Sequence, residues 1–199
     1  MKVVAPYITR VKQLAALAAL ALLLSACQTT PVITVDDFER AEDLQHWNIT
    51  GRLGYRTAND GGNASLDWRQ RTEGGRIHFS GPLGFGSAEL TWNDQHAQLD
   101  TGRDQIAASS PAELAWHLTG MMIPVDALYY WVRGLPWPWA PATPTYDDAG
   151  RLVNLEQLGW SLRFDRHQNV AGLALPHRVR AQLNGDSFTL VVQNWIPQP

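Results

Sequence analysis

Few side chains in this sequence stand where covalent or metal chemistry could be done. The six histidines, His46, His78, His96, His117, His167 and His177, never fall at H-x-x-x-H spacing, and no H-E-x-x-H occurs. No helix face therefore offers two imidazoles to a metal. Ser87 follows Gly86 directly, without the G-x-S-x-G frame that lifts a serine nucleophile onto a strained turn. Gly84 and Gly86 begin a G-x-G, but the third glycine of a phosphate-cradling turn is missing. The pairs Asp36-Asp37 and Asp147-Asp148 sit at a helix start and in a polar turn, where carboxylates are solvated. These patterns support no catalysis and call for neither cofactor nor metal. One reactive group is left, the thiol of Cys27. As the only cysteine, it excludes an intrachain disulfide and any multi-cysteine metal site.

The surroundings of Cys27 give that thiol a role. Lys2, Arg10 and Lys12 make a basic start, and Gln13 to Leu24 is an apolar run of Leu and Ala. That run has the length of a secretory signal and is too short to span a bilayer well. Leu24-Ser25-Ala26-Cys27 then matches the bacterial lipobox. The match implies diacylglyceryl transfer to the Cys27 sulfur, cleavage before it, and acylation of the freed amine. An uncleaved anchor helix, or an ordinary signal with Cys27 incidental, is the plain alternative. Residues 1–26 are read as a lipoprotein signal, 27–35 as the lipidated N-terminus and tether, and 36–199 as one folded domain. Gln28 stands where Asp would favour inner-membrane retention in enterobacteria, so the expected site is the outer membrane, lipid-anchored and facing the periplasm.

Composition fits that setting. Hydrophobic residues make up 45% and charged residues 18%, enough for a real core, and nine Trp is high for 199 residues. Trp suits grooves and interfaces where one end of the ring stays near water. Without residues 1–26 the chain keeps 13 basic against 19 acidic side chains, a charge near −6. That balance excludes nucleic acid as a partner, since phosphate neutralisation by Lys and Arg drives such binding.

The elements that must position these residues follow from periodicity. Asp36 to Trp47 is expected to form a helix, with Phe38, Ala41 and Leu44 on one face. From Ile49 to Asp100 the period changes to two. Leu53 and Tyr55, then Leu66 and Trp68, Ile77 and Phe79, Leu90 and Trp92, and Ala97 and Leu99 point one way, with polar residues between them. Five such strands make an antiparallel meander. Ser110-Pro111-Ala112-Glu113 reads as a capping box opening a helix that ends near Gly120, and Val125 to Arg133 reads as a second helix. Leu135 to Pro144, with Pro136-Trp137-Pro138-Trp139, is expected to be an irregular loop. Strands resume near Leu152–Glu156, Trp160–Phe164, His177–Leu183 and Phe188–Gln193. The fold class is mainly β with helices: one curled sheet of about nine or more strands, with the inserted helices across its concave apolar face as a lid.

Three segments carry a resemblance. Leu118-Thr119-Gly120-Met121-Met122-Ile123-Pro124, running on to Trp131 and Gly134-Leu135-Pro136, resembles the L-T-G-M-x-I-P…W…G-L-P segment of the LolB family of outer-membrane lipoprotein receptors. Gly81-Pro82-Leu83-Gly84 followed by Glu89-Leu90 is similar to that family's P-L-G hairpin, and Gln193-Asn194-Trp195 to its closing N-W. With the lipobox, the resemblance spans nearly the whole mature chain. It implies an incomplete antiparallel β-barrel with a helical lid over an apolar cavity. It also implies a receptor that takes mature lipoproteins from LolA, a soluble periplasmic carrier, and inserts them into the inner leaflet of the outer membrane. Such a receptor binds its clients through their acyl chains, acts as a monomer and is no enzyme.

On that reading Leu53, Tyr55, Leu66, Trp68, Ile77, Phe79, Leu90 and Trp92 line the acyl-chain cavity, with Leu114, Leu118, Leu128 and Trp131 beneath the lid. Each is equally readable as plain core, because a cavity differs from a core only by being underfilled. Leu83 lies between Gly81 and Gly86 in a loop with no neighbours to bury it, unless it tucks back onto the sheet. The resemblance assigns Leu83 to membrane insertion. Phe85 departs from the small polar residue expected there, and either adds a second wedge or folds inward. A glycan- or peptidoglycan-binding lipoprotein, using Trp137 and Trp139, is the alternative reading.

Overall fold

In a computed structural model, residues 38–81 and 86–198 are described. The signal, Cys27, the tether, Asp36, Leu83 and Phe85 lie outside them. The expected helix over 36–47 is absent from its described part: residues 38–45 form bends and a tight turn, and His46 already opens a strand. The cause is a competing donor. The Ala41 carbonyl, which a helix would give to Gln45, accepts instead from the Arg133 guanidinium at 3.2 Å, as does the Leu44 carbonyl at 2.9 Å. The Asp43 carboxylate turns back to the Arg40 amide at 3.1 Å and closes the turn.

Strands β1 (His46–Arg56), β2 (Gly61–Arg71), β3 (Gly74–Ser80), β4 (Ser87–Asn93) and β5 (Ala97–Asp100) are the expected meander, and β6 (Gln105–Ala108) extends it. Two helices follow, α1 (Pro111–Thr119) and α2 (Val125–Trp131), and then β7 (Ala142–Tyr146). The second run comprises β8 (Leu152–Gln157), β9 (Trp160–Asp165), β12 (Arg178–Leu183) and β13 (Asp186–Gln198), with a separate hairpin of β10 (Gln168–Val170) and β11 (Leu173–Leu175) between β9 and β12. β7 falls partly inside the stretch expected to be irregular. Its pairing partner β8 supplies the hydrogen bonds its Pro-rich sequence does not advertise.

All large-sheet strands pair antiparallel in the order β6-β5-β4-β3-β2-β1-β13-β12-β9-β8-β7, eleven in one sheet. β6 and β7 are its free edges, so the barrel stays open. The chain crosses from one edge to the other through α1 and α2, which therefore lie over the opening. β1 and β13 join the two runs at the middle, and their register shifts between Thr50 and Gly51. Gly51 is required there: a Cβ would collide with the Val191 carbonyl.

Candidate functional site

The lid is fixed by local chemistry. Ser110 caps α1 by accepting the Glu113 amide at 3.4 Å, with Pro111 at the first helical position. The Glu113 carboxylate reaches back past Ser110 and accepts from the amide and hydroxyl of Ser109 at 3.3 and 3.1 Å. Gly120 ends the helix at φ 72°. α1 buries Leu114, Ala115 and Leu118, and α2 buries Val125, Ala127, Leu128 and Trp131.

Beneath these helices lies an apolar pocket of about 40 Å³. Leu53, Leu66, Trp68, Ile77, Phe79 and Leu90 wall it from the sheet, and Leu118 and Leu128 from the lid. Ala115, Thr119, Ile123, Val125 and Leu190 complete it. The Thr119 hydroxyl donates to the Ala115 carbonyl at 2.8 Å, which keeps the lining apolar. The volume holds a few methylene-sized groups at most.

The other residues expected to line a cavity stand elsewhere. Tyr55 turns its hydroxyl to the Asp60 carboxylate at 3.1 Å, at the β1–β2 turn. Trp92 reaches over its cross-strand partner Gly75, where any Cβ would meet the indole, and borders the larger polar groove instead of this pocket. Leu114 is fully buried. Trp131 is fully buried too, its indole N–H donating to Gln157 Oε1 at 2.8 Å.

Behind the pocket the interior becomes aromatic. Trp47 meets Trp68 edge-on at 4.8 Å and Trp195 at 5.2 Å, and Trp68 meets Trp92 at 6.2 Å. The Trp68 N–H donates to Gln70 at 3.0 Å. Beyond this wall opens a polar groove of about 710 Å³, bounded by Trp92, Trp137, Trp139 and Tyr129 and by the carboxylates of Glu42, Asp94 and Asp126. Val125 borders both spaces.

Arg133 borders this groove and Gln157 holds Trp137, which borders it too; the sequence marks neither as a structural centre. Arg133 is buried with its guanidinium on the carbonyls of Tyr129, Ala41 and Leu44 and against the Tyr129 ring at 4.0 Å. Burial pulls its pKa below the ordinary guanidinium value, and the two neighbouring tyrosines pull it back up. Gln157 is buried between Trp131, the Trp137 amide (2.9 Å) and the carbonyls of Trp137 (2.7 Å) and Ala140 (3.0 Å). It pins the Pro- and Trp-rich stretch to β8. Neither residue falls in a recognisable motif, because each acts on backbone brought close only by folding. Among the described residues no His, Cys, Asp and Glu cluster could hold a metal ion.

An open antiparallel sheet with a lid over an apolar pocket is a fold with known relatives. Residues 45–195 match the family model described as outer membrane lipoprotein LolB. The chain belongs to the LolB family. It is 38% identical to the outer-membrane lipoprotein LolB of Alkalilimnicola ehrlichii, over 90% of this chain and 94% of that one. It is 36% identical to the LolB of Pseudomonas aeruginosa, over 80% of this chain and 78% of that one. A LolA superfamily protein from Nitrosomonas europaea shares the fold with a TM-score of 0.53 and 10% identity, over 78% of this chain and 87% of that one. A DUF1329 family protein from Desulfovibrio piger does so at 0.52 and 9% identity, over 82% and 88%.

Proposed function

We propose that this LolB-family chain is an outer-membrane receptor that accepts mature lipoproteins from the carrier LolA and delivers them to the inner leaflet. On this reading Cys27 carries the chain's own lipid anchor, and the domain faces the periplasm as a monomer. The observation that carries the proposal is the apolar pocket walled jointly by the sheet and a helical lid.

Each buried CH₂ contributes about 0.8 kcal/mol, so three long acyl chains oppose a bare crossing of the periplasm by on the order of 30 kcal/mol. Passing the chains between apolar sites removes that barrier, and a difference in affinity sets the direction. The pocket as it stands is too small for one chain. Admission therefore requires α1, which packs on β4–β6, to lift from those strands and to carry its neighbour α2 with it, the guest's methylenes replacing the contacts that Leu118 and Leu128 give up. Leu83, rooted between Gly81 and Gly86, then meets the bilayer. The Gly81 amide donates to the Gly86 carbonyl at 3.1 Å, closing the loop at its neck.

The test is transfer from loaded carrier to liposomes. Wild-type protein is expected to move client lipoprotein into the vesicles. Leu83→Glu is expected to accept clients and fold normally yet stop delivery. Delivery at the normal rate by Leu83→Glu removes that residue's role; absence of any saturable fatty-acid binding removes the receptor reading. The groove with Trp137 and Trp139 favours one second reading, a glycan site, which a pull-down on peptidoglycan separates from the first.

A further inference from the structure

Large apolar side chains on the described surface are few, and two of them belong to the lid and the turn that ends its first helix. Trp116 is 50% exposed on the outer face of α1 and Met122 is 54% exposed just past its end. Met121 and Leu118 beside them are buried, whereas Trp116 leaves half of its surface to solvent and meets the His117 ring edge-on at 5.3 Å.

Strand register shows which end of the barrel they occupy. Ser65 pairs with Ser80 and Ser80 with Ser87, which puts the neck of the 81–86 loop toward the end of the sheet that carries the β1–β2 turn, four residues short of Gly61. Glu89 pairs with Asp100, so the β5–β6 turn carrying Arg103 projects at that same end. α1 starts after β6 at the opposite end and runs back, until a side chain at Gly120 would touch the Thr57 methyl in the β1–β2 turn. Trp116, Met122, the loop neck and Arg56 and Arg103 therefore share one rim.

The charges of this rim suit phospholipid. Arg56 and Arg103 are exposed, and neither has a carboxylate partner among the described residues. The nearby acids are partly spent on their own turns: Asp60 accepts from Tyr55 and Gly61, and Asp100 from Gly102 and Gln105. With Asp104, three carboxylates stand beside the two guanidinium groups, so the rim as a whole is not cationic. Arg56 and Arg103 suit the phosphates of zwitterionic lipid, and the apolar side chains carry the rest of the contact.

We propose that Trp116 and Met122 form a second lipid-contact surface, which lays the lid itself on the bilayer beside the insertion loop. An indole prefers the level of the headgroups, where its ring is dry and its N–H wet, and Met adapts to disordered chains. The consequence is directional. Acyl chains leaving from under α1 meet hydrocarbon at once, because the helix that releases them already touches it. The inference rests on the delivery reading only in saying what the contact is for.

The lipidated chain, reconstituted in vesicles of phosphatidylethanolamine and phosphatidylglycerol containing acyl-brominated lipid, tests it. The fluorescence difference between wild type and Trp116→Phe isolates one indole, which is expected to be quenched by bromine. A Trp116 signal that stays unquenched overturns the proposal. Trp116→Glu with Met122→Glu is expected to slow client delivery to vesicles about tenfold, the size of effect that exposing this much apolar surface gives. Fatty-acid binding and the unfolding midpoint are expected to be unchanged. Delivery at the wild-type rate, or a loss confined to acceptance from the carrier, overturns it. If the chain delivers no lipoprotein at all, the receptor reading falls while the quenching still reports whether Trp116 sits in lipid.

Discussion

The two runs of the sheet carry the same alternation and yet build different interiors. In the first run Leu53, Leu66 and Phe79 keep 8, 6 and 6% of their surface exposed, facing a lid whose Leu118 and Leu128 keep 7 and 6%. In the second run Leu155, Val179 and Ala181 are at 0%, Trp160 packs edge-on against Phe188 at 5.2 Å, and Leu173 and Leu175 of the small hairpin are buried too. Only Leu190 of the second run reaches the pocket. The difference lies in what covers each half. The second half is filled by side chains of its own strands. The first half is covered by two short helices, one of only seven residues, hung between the free edges. One half is filled by its own side chains; the other leaves a small space under two helices.

That contrast can be broken by substitution. Phe164→Ala in the solid half is expected to lower stability by about 3–5 kcal/mol in urea unfolding, with fatty-acid binding unchanged. Leu66→Ala at the pocket wall is expected to sit near the low end for such truncations, about 2 kcal/mol, because its site is already underfilled. Equal losses at the two positions would erase the distinction. Leu128→Phe sharpens it from the other side: overfilling the pocket is expected to cost about 1–3 kcal/mol and to weaken fatty-acid binding, which displacement of a fluorescent probe measures. If the probe binds Leu128→Phe as well as wild type, guests do not use this space.

Smaller effects test how the cover is hung. Gln157→Leu strands the Trp131 N–H and the Trp137 carbonyl, for an expected loss of about 1–3 kcal/mol. It is also expected to raise hydrogen exchange through the Trp137 stretch, and protection equal to wild type would show that other contacts suffice.

The smallest effect is that of pH, and it belongs to the solid half. Burial lowers the pKa of His177 against the pull of its hydrogen bond to the Val192 carbonyl, and burial followed by Arg151 lowers that of His167. The unfolded chain thus takes up protons first on acidification. This contribution is complete above the ordinary imidazole value and is lost as pH falls through it toward the lowered folded values. Urea midpoints should decline over that window in wild type, and less in His177→Asn. An equal decline in both removes the His177 part.

Much of this was legible along the chain because it depends on near neighbours. Period-two alternation from Ile49 to Leu99 states which residues share a face. Ser110-Pro111 and Gly120 state where α1 begins and ends, since caps act within one turn. What failed was decided at a distance. The stretch 38–45 has a helical pattern, but Arg133, far along the chain, claims its carbonyls. Trp92 shares its face with Leu90, but Gly75 on the next strand leaves a slot that draws the indole aside. Ile123 and Val125 sit within or beside the most recognisable segment of the sequence, and still nothing local says that they border an empty space.

The sequence alone determined the fold class, the succession of the main strands around the two lid helices, and the family, for these reside in spacing and residue type. The tertiary structure alone decided which apolar residues face a vacancy and which face one another, how nearly that vacancy is shut, and which end of the barrel carries the exposed Trp116 and Met122. Those properties depend on volumes left over after packing, a sum over residues remote in the chain, and no single segment encodes such a remainder.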